Sequence, residues 1–133
     1  MTEHPSRPTD AELEILTVLW SRGAGTVREI HETISLRQSA LRKPTQYTTV
    51  LKLLQIMAEK GLVLRDEKQR AHIYRAARPR EWTQKQLAGD LLQRGFNGSA
   101  ARLLQGALSA RKTSKAELTE LRQLLDEFEK GTP

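Results

Sequence analysis

The chain is predicted to be mainly α-helical, with one short β-hairpin past its middle and a helical extension behind it. Three observations predict this. Apolar residues recur at helical spacing in six separate stretches. Two β-favouring runs, Leu62-Val63-Leu64-Arg65 and Ala71-His72-Ile73-Tyr74-Arg75, follow a glycine and are joined by the polar link Asp66-Glu67-Lys68-Gln69-Arg70. From Pro79 the texture changes to short leucine-rich segments. A length of 133 residues suits one ordinary domain, or a domain of roughly 75 residues with an extension.

Residues 1–8, with Pro5 and Pro8, read as a flexible tail. Thr9 or Asp10 then caps a first helix, and Glu12 in its first turn complements the helix dipole. Leu13, Ile15, Leu16, Val18, Leu19 and Trp20 form a wide apolar stripe, which Gly23 and Gly25 end. Thr26 caps a short second helix with Val27, Ile30, His31 and Ile34 at i, i+3, i+4 and i+7. Ser35 to Lys43 is polar and basic, as suits a connection, and Pro44 fits the start of the next helix. The third helix is predicted over about Thr45 to Lys60, with Val50, Leu53, Leu54 and Met57 as its buried set and Gly61 as a left-handed stop. Three helices followed by a hairpin with a basic tip make a winged helix-turn-helix plan over residues 9–78, in which the third helix reads DNA.

The extension, residues 79–133, holds three more amphipathic helices. Leu87, Ala88, Leu91 and Leu92 mark the fourth, which ends near Gly95 to Gly98, and Leu103, Leu104 and Leu108 mark the fifth. Ser114 caps the sixth, where Leu118, Leu121, Leu125 and Phe128 fall at i, i+3, i+7 and i+10. Helices this short are marginal in water without a packing partner. They can pack on the first half of the chain or on the same helices of a second copy. The second option is preferred, because a two-fold dimer presents two reading helices at once. Leu91, Leu103, Leu104, Leu108, Leu118, Leu121, Leu125 and Phe128 are then the dimerisation residues.

The net charge of +6 is unevenly spread. Arg37 to Lys52 contains four basic residues and no acid, and Lys60 to Arg80 contains seven against Asp66 and Glu67. Basic clusters on one helix and one hairpin are the footprint of a phosphate-binding surface, although a solvated basic surface also produces clusters. Thr45, Gln46, Thr48, Thr49 and Lys52 are the residues expected to face double-stranded DNA. Their hydroxyl, amide and ammonium groups can bond base edges or phosphates, and threonine methyls can touch thymine. Tyr47 has two readings, a phosphate contact or packing. Gln55 reads as plain surface. Arg65, Lys68, Arg70 and His72 serve the wing on phosphate or in the minor groove, with packing in the second strand as the other reading for His72. Arg28 reads as a backbone contact or as part of a solvated helix face.

The inventory points away from an enzyme and from a cofactor or metal site. There is no cysteine, and His4, His31 and His72 are scattered, with no zinc-protease pairing, phosphate loop or nucleophile elbow. No signal-like leader and no run of about 18 apolar residues occurs, so a cytoplasmic location without membrane insertion is expected. A winged helix used for protein contacts or RNA binding remains the alternative to a DNA reader.

The ordered set Glu12-Leu13-Glu14-Ile15-Leu16, Leu19-Trp20, Thr26-Val27-Arg28-Glu29-Ile30, Tyr47-Thr48-Thr49-Val50, Leu53-Leu54, Glu59-Lys60-Gly61-Leu62-Val63, His72-Ile73-Tyr74 and Glu117-Leu118-Thr119-Glu120-Leu121-Arg122 resembles the penicillinase-repressor family, the BlaI/MecI type of bacterial winged-helix repressors. The resemblance covers nearly the whole chain. It implies a homodimer that binds a two-fold operator, holds promoters shut and dimerises through its C-terminal helices. It also implies a membrane sensor and protease system as a partner, which cuts family members within the dimerising tail, commonly at an Asn-Phe bond. This chain has Gly106-Ala107 there and no Asn-Phe pair. A copper-responsive branch uses C-terminal cysteines, which this chain lacks. Leu51 and Ile56 also depart from the family, which often has a polar or basic residue at the first position and arginine at the second.

Overall fold

The computed structural model describes residues 7–38 and 43–131. Within it, helix starts follow from local capping. The α1 helix (Asp10–Arg22) begins at Thr9, whose hydroxyl accepts the Glu12 N–H at 3.2 Å while the Glu12 carboxylate accepts the Thr9 N–H at 2.9 Å. Thr26 and Glu29 repeat this reciprocal arrangement at the start of α2 (Val27–Arg37). Each pair satisfies two donors that a helix start otherwise leaves open. The α3 helix (Tyr47–Lys60) ends on Gly61, at φ 81°, with the Leu62 N–H returning to the Met57 carbonyl at 2.9 Å.

The α3 helix starts two residues later than the predicted Thr45. The Gln46 carbonyl accepts the first helical bonds, from Thr49 and Val50, and Thr45 is tied elsewhere, to Gln38 and His31. Strands β1 (Val63–Asp66) and β2 (Ile73–Ala76) pair antiparallel from Val63↔Ala76 to Asp66↔Ile73. Both begin a residue or two beyond the predicted runs, so His72 lies in the loop before β2, not in a strand. Gly23, at φ 95°, ends α1. Gly25 has another role: it exchanges two backbone bonds with Tyr74, 2.9 and 2.8 Å long, and adds a third edge to the hairpin. A Cβ at Gly25 would stand 3.0 Å from Arg22 Nε and 3.3 Å from Ile30 Cγ1, so a larger residue there would crowd both side chains.

The core unites Ile15, Leu16, Val18 and Leu19 of α1, Val27, Ile30 and Ile34 of α2, Val50, Leu54 and Met57 of α3, and Leu62, Val63 and Tyr74 of the hairpin. Leu53, predicted as buried, is half-buried against this core, as are Leu13 and Trp20. One ion pair lies at its edge. Glu12 is 2% exposed, and its Oε1 accepts from Lys60 Nζ at 2.8 Å, joining the start of α1 to the end of α3. The arrangement is a winged helix-turn-helix followed by C-terminal helices.

The chain divides into two compact units, Met1–Leu87 and Ala88–Pro133, and the division falls within α4 (Arg80–Phe96). In the first unit, the Trp20 indole N–H donates to the Arg78 carbonyl at 3.0 Å. The Arg80 guanidinium stands 6.0 Å from the Trp20 ring, and that of Arg78 stands 4.5 Å from the Trp82 ring. In the second unit, Asn97 and Gly98 at positive φ turn the chain into α5 (Ala100–Ala110), capped by Ser99, and Ser114 caps α6 (Lys115–Glu129). No residue of α5 or α6 is buried.

Candidate nucleic-acid interface

The α3 helix separates its residues by side. Val50, Leu54 and Met57, at i, i+4 and i+7, are fully buried, whereas Tyr47, Thr48, Thr49, Lys52, Gln55 and Ile56 are exposed. Thr48 and Lys52 stand one turn apart, as do Thr49 and Lys52, so the three share one outward stripe. The Lys52 ammonium has no ion-pair partner among the described residues. The start of α3 has no side-chain cap, in contrast to α1, α2, α5 and α6. Open N–H groups at a helix start carry partial positive charge and favour anions.

Thr45 and Gln46 precede the helix. Thr45 is half-buried, and three of its polar groups are engaged: its N–H donates to Gln38 Oε1 at 3.1 Å, its hydroxyl oxygen accepts from Gln38 Nε2, and its carbonyl lies 2.9 Å from His31 Nε2. The His31 ring also meets the Tyr47 ring edge-on, with centroids 5.9 Å apart. Sequence reasoning missed this cluster. His31 was its available signal, a polar residue within the apolar stripe of α2, but Gln38 sits in a polar run and gave none.

The wing is less uniformly available than its charge count suggests. Arg65 pairs with Glu67 at 2.6 Å, and hydrogen bonds with Tyr74 and then Glu67 raise its pKa above the ordinary guanidinium value. Lys60 is committed to Glu12, while Arg78 and Arg80 lie against tryptophan rings. Lys68, Arg70, His72 and Arg75 are exposed, and no described residue pairs with their side chains. The Asp66 carboxylate accepts the Lys68 backbone N–H at 3.0 Å and shapes the tip. Arg28 is exposed on the first turn of α2.

The candidate dimerisation residues all lie on α4, α5 and α6. Leu103, Leu104, Leu108, Leu118 and Leu121 are half-buried. Leu91, Leu125 and Phe128 are exposed, the last two by 59% and 61%. Leu124, 46% exposed beside them, was missed by the heptad-like spacing because it falls outside that series. Gly106 and Ala107 lie inside α5, where a Cβ on Gly106 would be in ordinary contact with Phe96.

Among the described residues no helix is long and apolar enough to cross a membrane, and no three His, Asp or Glu side chains gather as a metal would require. The penicillinase repressor family profile matches residues 8–127. The transcriptional regulator BlaI of Mycobacterium tuberculosis, in strains CDC 1551 / Oshkosh and ATCC 25618 / H37Rv, is 33% identical over 129 residues, spanning 95% of this chain and 88% of the relative. A match over this length, on a winged helix-turn-helix, means that the chain belongs to the penicillinase repressor family of DNA-binding transcriptional regulators.

Proposed function

We propose that the protein is a sequence-specific repressor that works in the cytoplasm and binds a two-fold operator as a homodimer. In this reading α3 enters the major groove and the wing lies on the backbone or in the minor groove. The observation that carries it is the stripe of Thr48, Thr49 and Lys52, held outward by a helix whose opposite face is fully buried. A rigid helix with short polar side chains and one unpaired cation suits base edges flanked by phosphates. The open helix start and the free Lys68 and Arg70 add places for phosphate oxygens. The absence of buried residues in α5 and α6 supports the dimer, since their leucines need another surface to cover them.

A gel-shift titration with the DNA upstream of the protein's own gene tests this. Saturable binding that withstands competition by random duplex at moderate salt is expected. Equal binding to any duplex, or a preference for RNA, would overturn operator recognition.

Two substitutions separate reading from positioning. Thr48→Ala with Thr49→Ala should lower discrimination between operator and random DNA by about 1–3 kcal/mol per lost base contact, measured by competition. Equal weakening on both DNAs would make these threonines phosphate contacts. Lys68→Ala with Arg70→Ala should weaken binding to both DNAs alike and flatten the slope of log affinity against log salt by about 0.9 per lost phosphate contact. An unchanged slope would remove the wing tip from the interface.

A further inference from the structure

We propose that Gln38 and His31 are positioning residues for DNA reading: they clamp Thr45 immediately before α3 and thereby fix where the reading helix begins and how its first turn is rotated. The proposal rests on α3 being the reading helix.

The geometry supports a clamp with one possible arrangement of donors and acceptors. The Thr45 N–H can only donate, so the Gln38 atom facing it at 3.1 Å is the amide oxygen, which turns the amide nitrogen towards the Thr45 hydroxyl. The Thr45 carbonyl can only accept, so the His31 Nε2 at 2.9 Å bears a hydrogen. Gln38 comes from the residue that terminates α2, and His31 from the middle of that helix. The two reach Thr45 across separations of 7 and 14 residues and attach the entrance of α3 to α2.

This attachment supplies what the helix start lacks. Gln46 makes no side-chain cap bond, so the first turn of α3 lacks the side-chain anchor that the starts of α1 and α2 have. Thr45 is one residue before Gln46, and the edge-on contact of His31 with Tyr47 reaches one residue beyond it. The cluster therefore brackets the helix start on both sides. Thr48 and Thr49 follow directly, so their hydroxyls inherit the orientation set there. The Thr45 hydroxyl, which accepts from Gln38, keeps its own hydrogen for an outside acceptor such as a phosphate oxygen.

Base contacts depend on this orientation, whereas the attraction of cations to phosphates does not. Loss of the clamp should therefore cost selectivity before it costs non-specific binding. In the full-length protein, Gln38→Met and His31→Leu should each weaken operator binding about tenfold, with affinity for random duplex and the melting temperature little changed. His31→Gln, which returns a donor of similar reach, should restore most of the selectivity.

Amide exchange of Thr45 in the unliganded wild type is the companion measurement. It should be slow, and at least about tenfold faster in Gln38→Met. If the wild type selects its operator and both variants do so equally well, the clamp role is wrong while operator reading stands. If the wild type selects no sequence, operator reading fails, and the proposed role in reading fails with it. Fast Thr45 exchange in the wild type would overturn the clamp itself. Losses of equal size on both DNAs, with a lower melting temperature, would reduce His31 and Gln38 to parts of the fold.

Discussion

A chain carrying Leu125→Glu and Phe128→Glu is expected to sediment as a monomer and to lose roughly 100-fold or more of its operator affinity. These two side chains are 59% and 61% exposed on a helix with no buried residue. They continue the line begun by Leu118 and Leu121, so all four fall along one seam of α6. Leu121 is already half-buried within its own chain, which makes Leu125 and Phe128 the cleaner pair to change. Two charges facing their copies across a two-fold axis would oppose association directly. The affinity loss follows because a dimer engages its second half-site at a high effective concentration, a gain of about 10²–10⁴ that a monomer forfeits. Sedimentation velocity and operator titration check both parts, with the thermal transition of the winged-helix unit as a control on folding. A variant that stays dimeric would exclude this seam from the interface.

Lys60→Met is expected to destabilise the winged-helix unit by about 2–4 kcal/mol, and to lower its melting temperature by about 10 °C or more. Glu12 is a buried residue, 2% exposed, and removing the ammonium leaves its carboxylate with only the Thr9 groups to hydrogen-bond it. The Lys60 side chain is 25% exposed, which places the expected loss below that of a fully enclosed pair. The pH dependence has a definite sign. Burial alone would raise the Glu12 pKa, but the hydrogen bonds from Lys60 and Thr9 and the charge of Lys60 together hold it below the ordinary value of 4.5. In the wild type the pair therefore contributes fully above about pH 4.5, and its contribution fades as pH falls through the depressed folded value. In Lys60→Met burial is no longer opposed by the ammonium, so the deficit should be largest near neutrality and shrink as acid neutralises Glu12. Chemical denaturation at pH 7 and pH 4 measures this. A deficit that is constant or grows towards pH 4 would show that the pair is not the source of the stability.

Much of this was legible in the sequence because the signals were local. Thr26, and Thr9 with Asp10 as its alternative, were legible as caps, and the structure adds the reciprocal bonds of Glu12 and Glu29. Val50, Leu54 and Met57 were readable as a buried face from spacing alone. The start of α3 was not, because Thr45 is decided by Gln38 and His31, and no local pattern encodes a partner 14 residues away. Gly25 looked like a helix stop because residue type alone does not distinguish a glycine at a turn from one bridged to a distant strand residue. The basic count around the hairpin overstated the free charge, since ion pairs and tryptophan faces take up Lys60, Arg65, Arg78 and Arg80. Composition cannot distinguish a guanidinium on an indole from one in water.

Tyr74 gives the wing a fixed root and a tip free to vary. Its side chain is buried in the core, while its backbone exchanges both bonds with Gly25 and its strand position opposes Arg65. A slip of one residue would turn that ring out of the core, so the register is determined at the base of the hairpin. Residues 67–72, by contrast, are all exposed and lie beyond the paired strands. Insertions and deletions should be tolerated there, because lengthening a loop that is already closed costs little. If α3 is the reading helix, as proposed, the reach of the wing along DNA can thus change without disturbing α3.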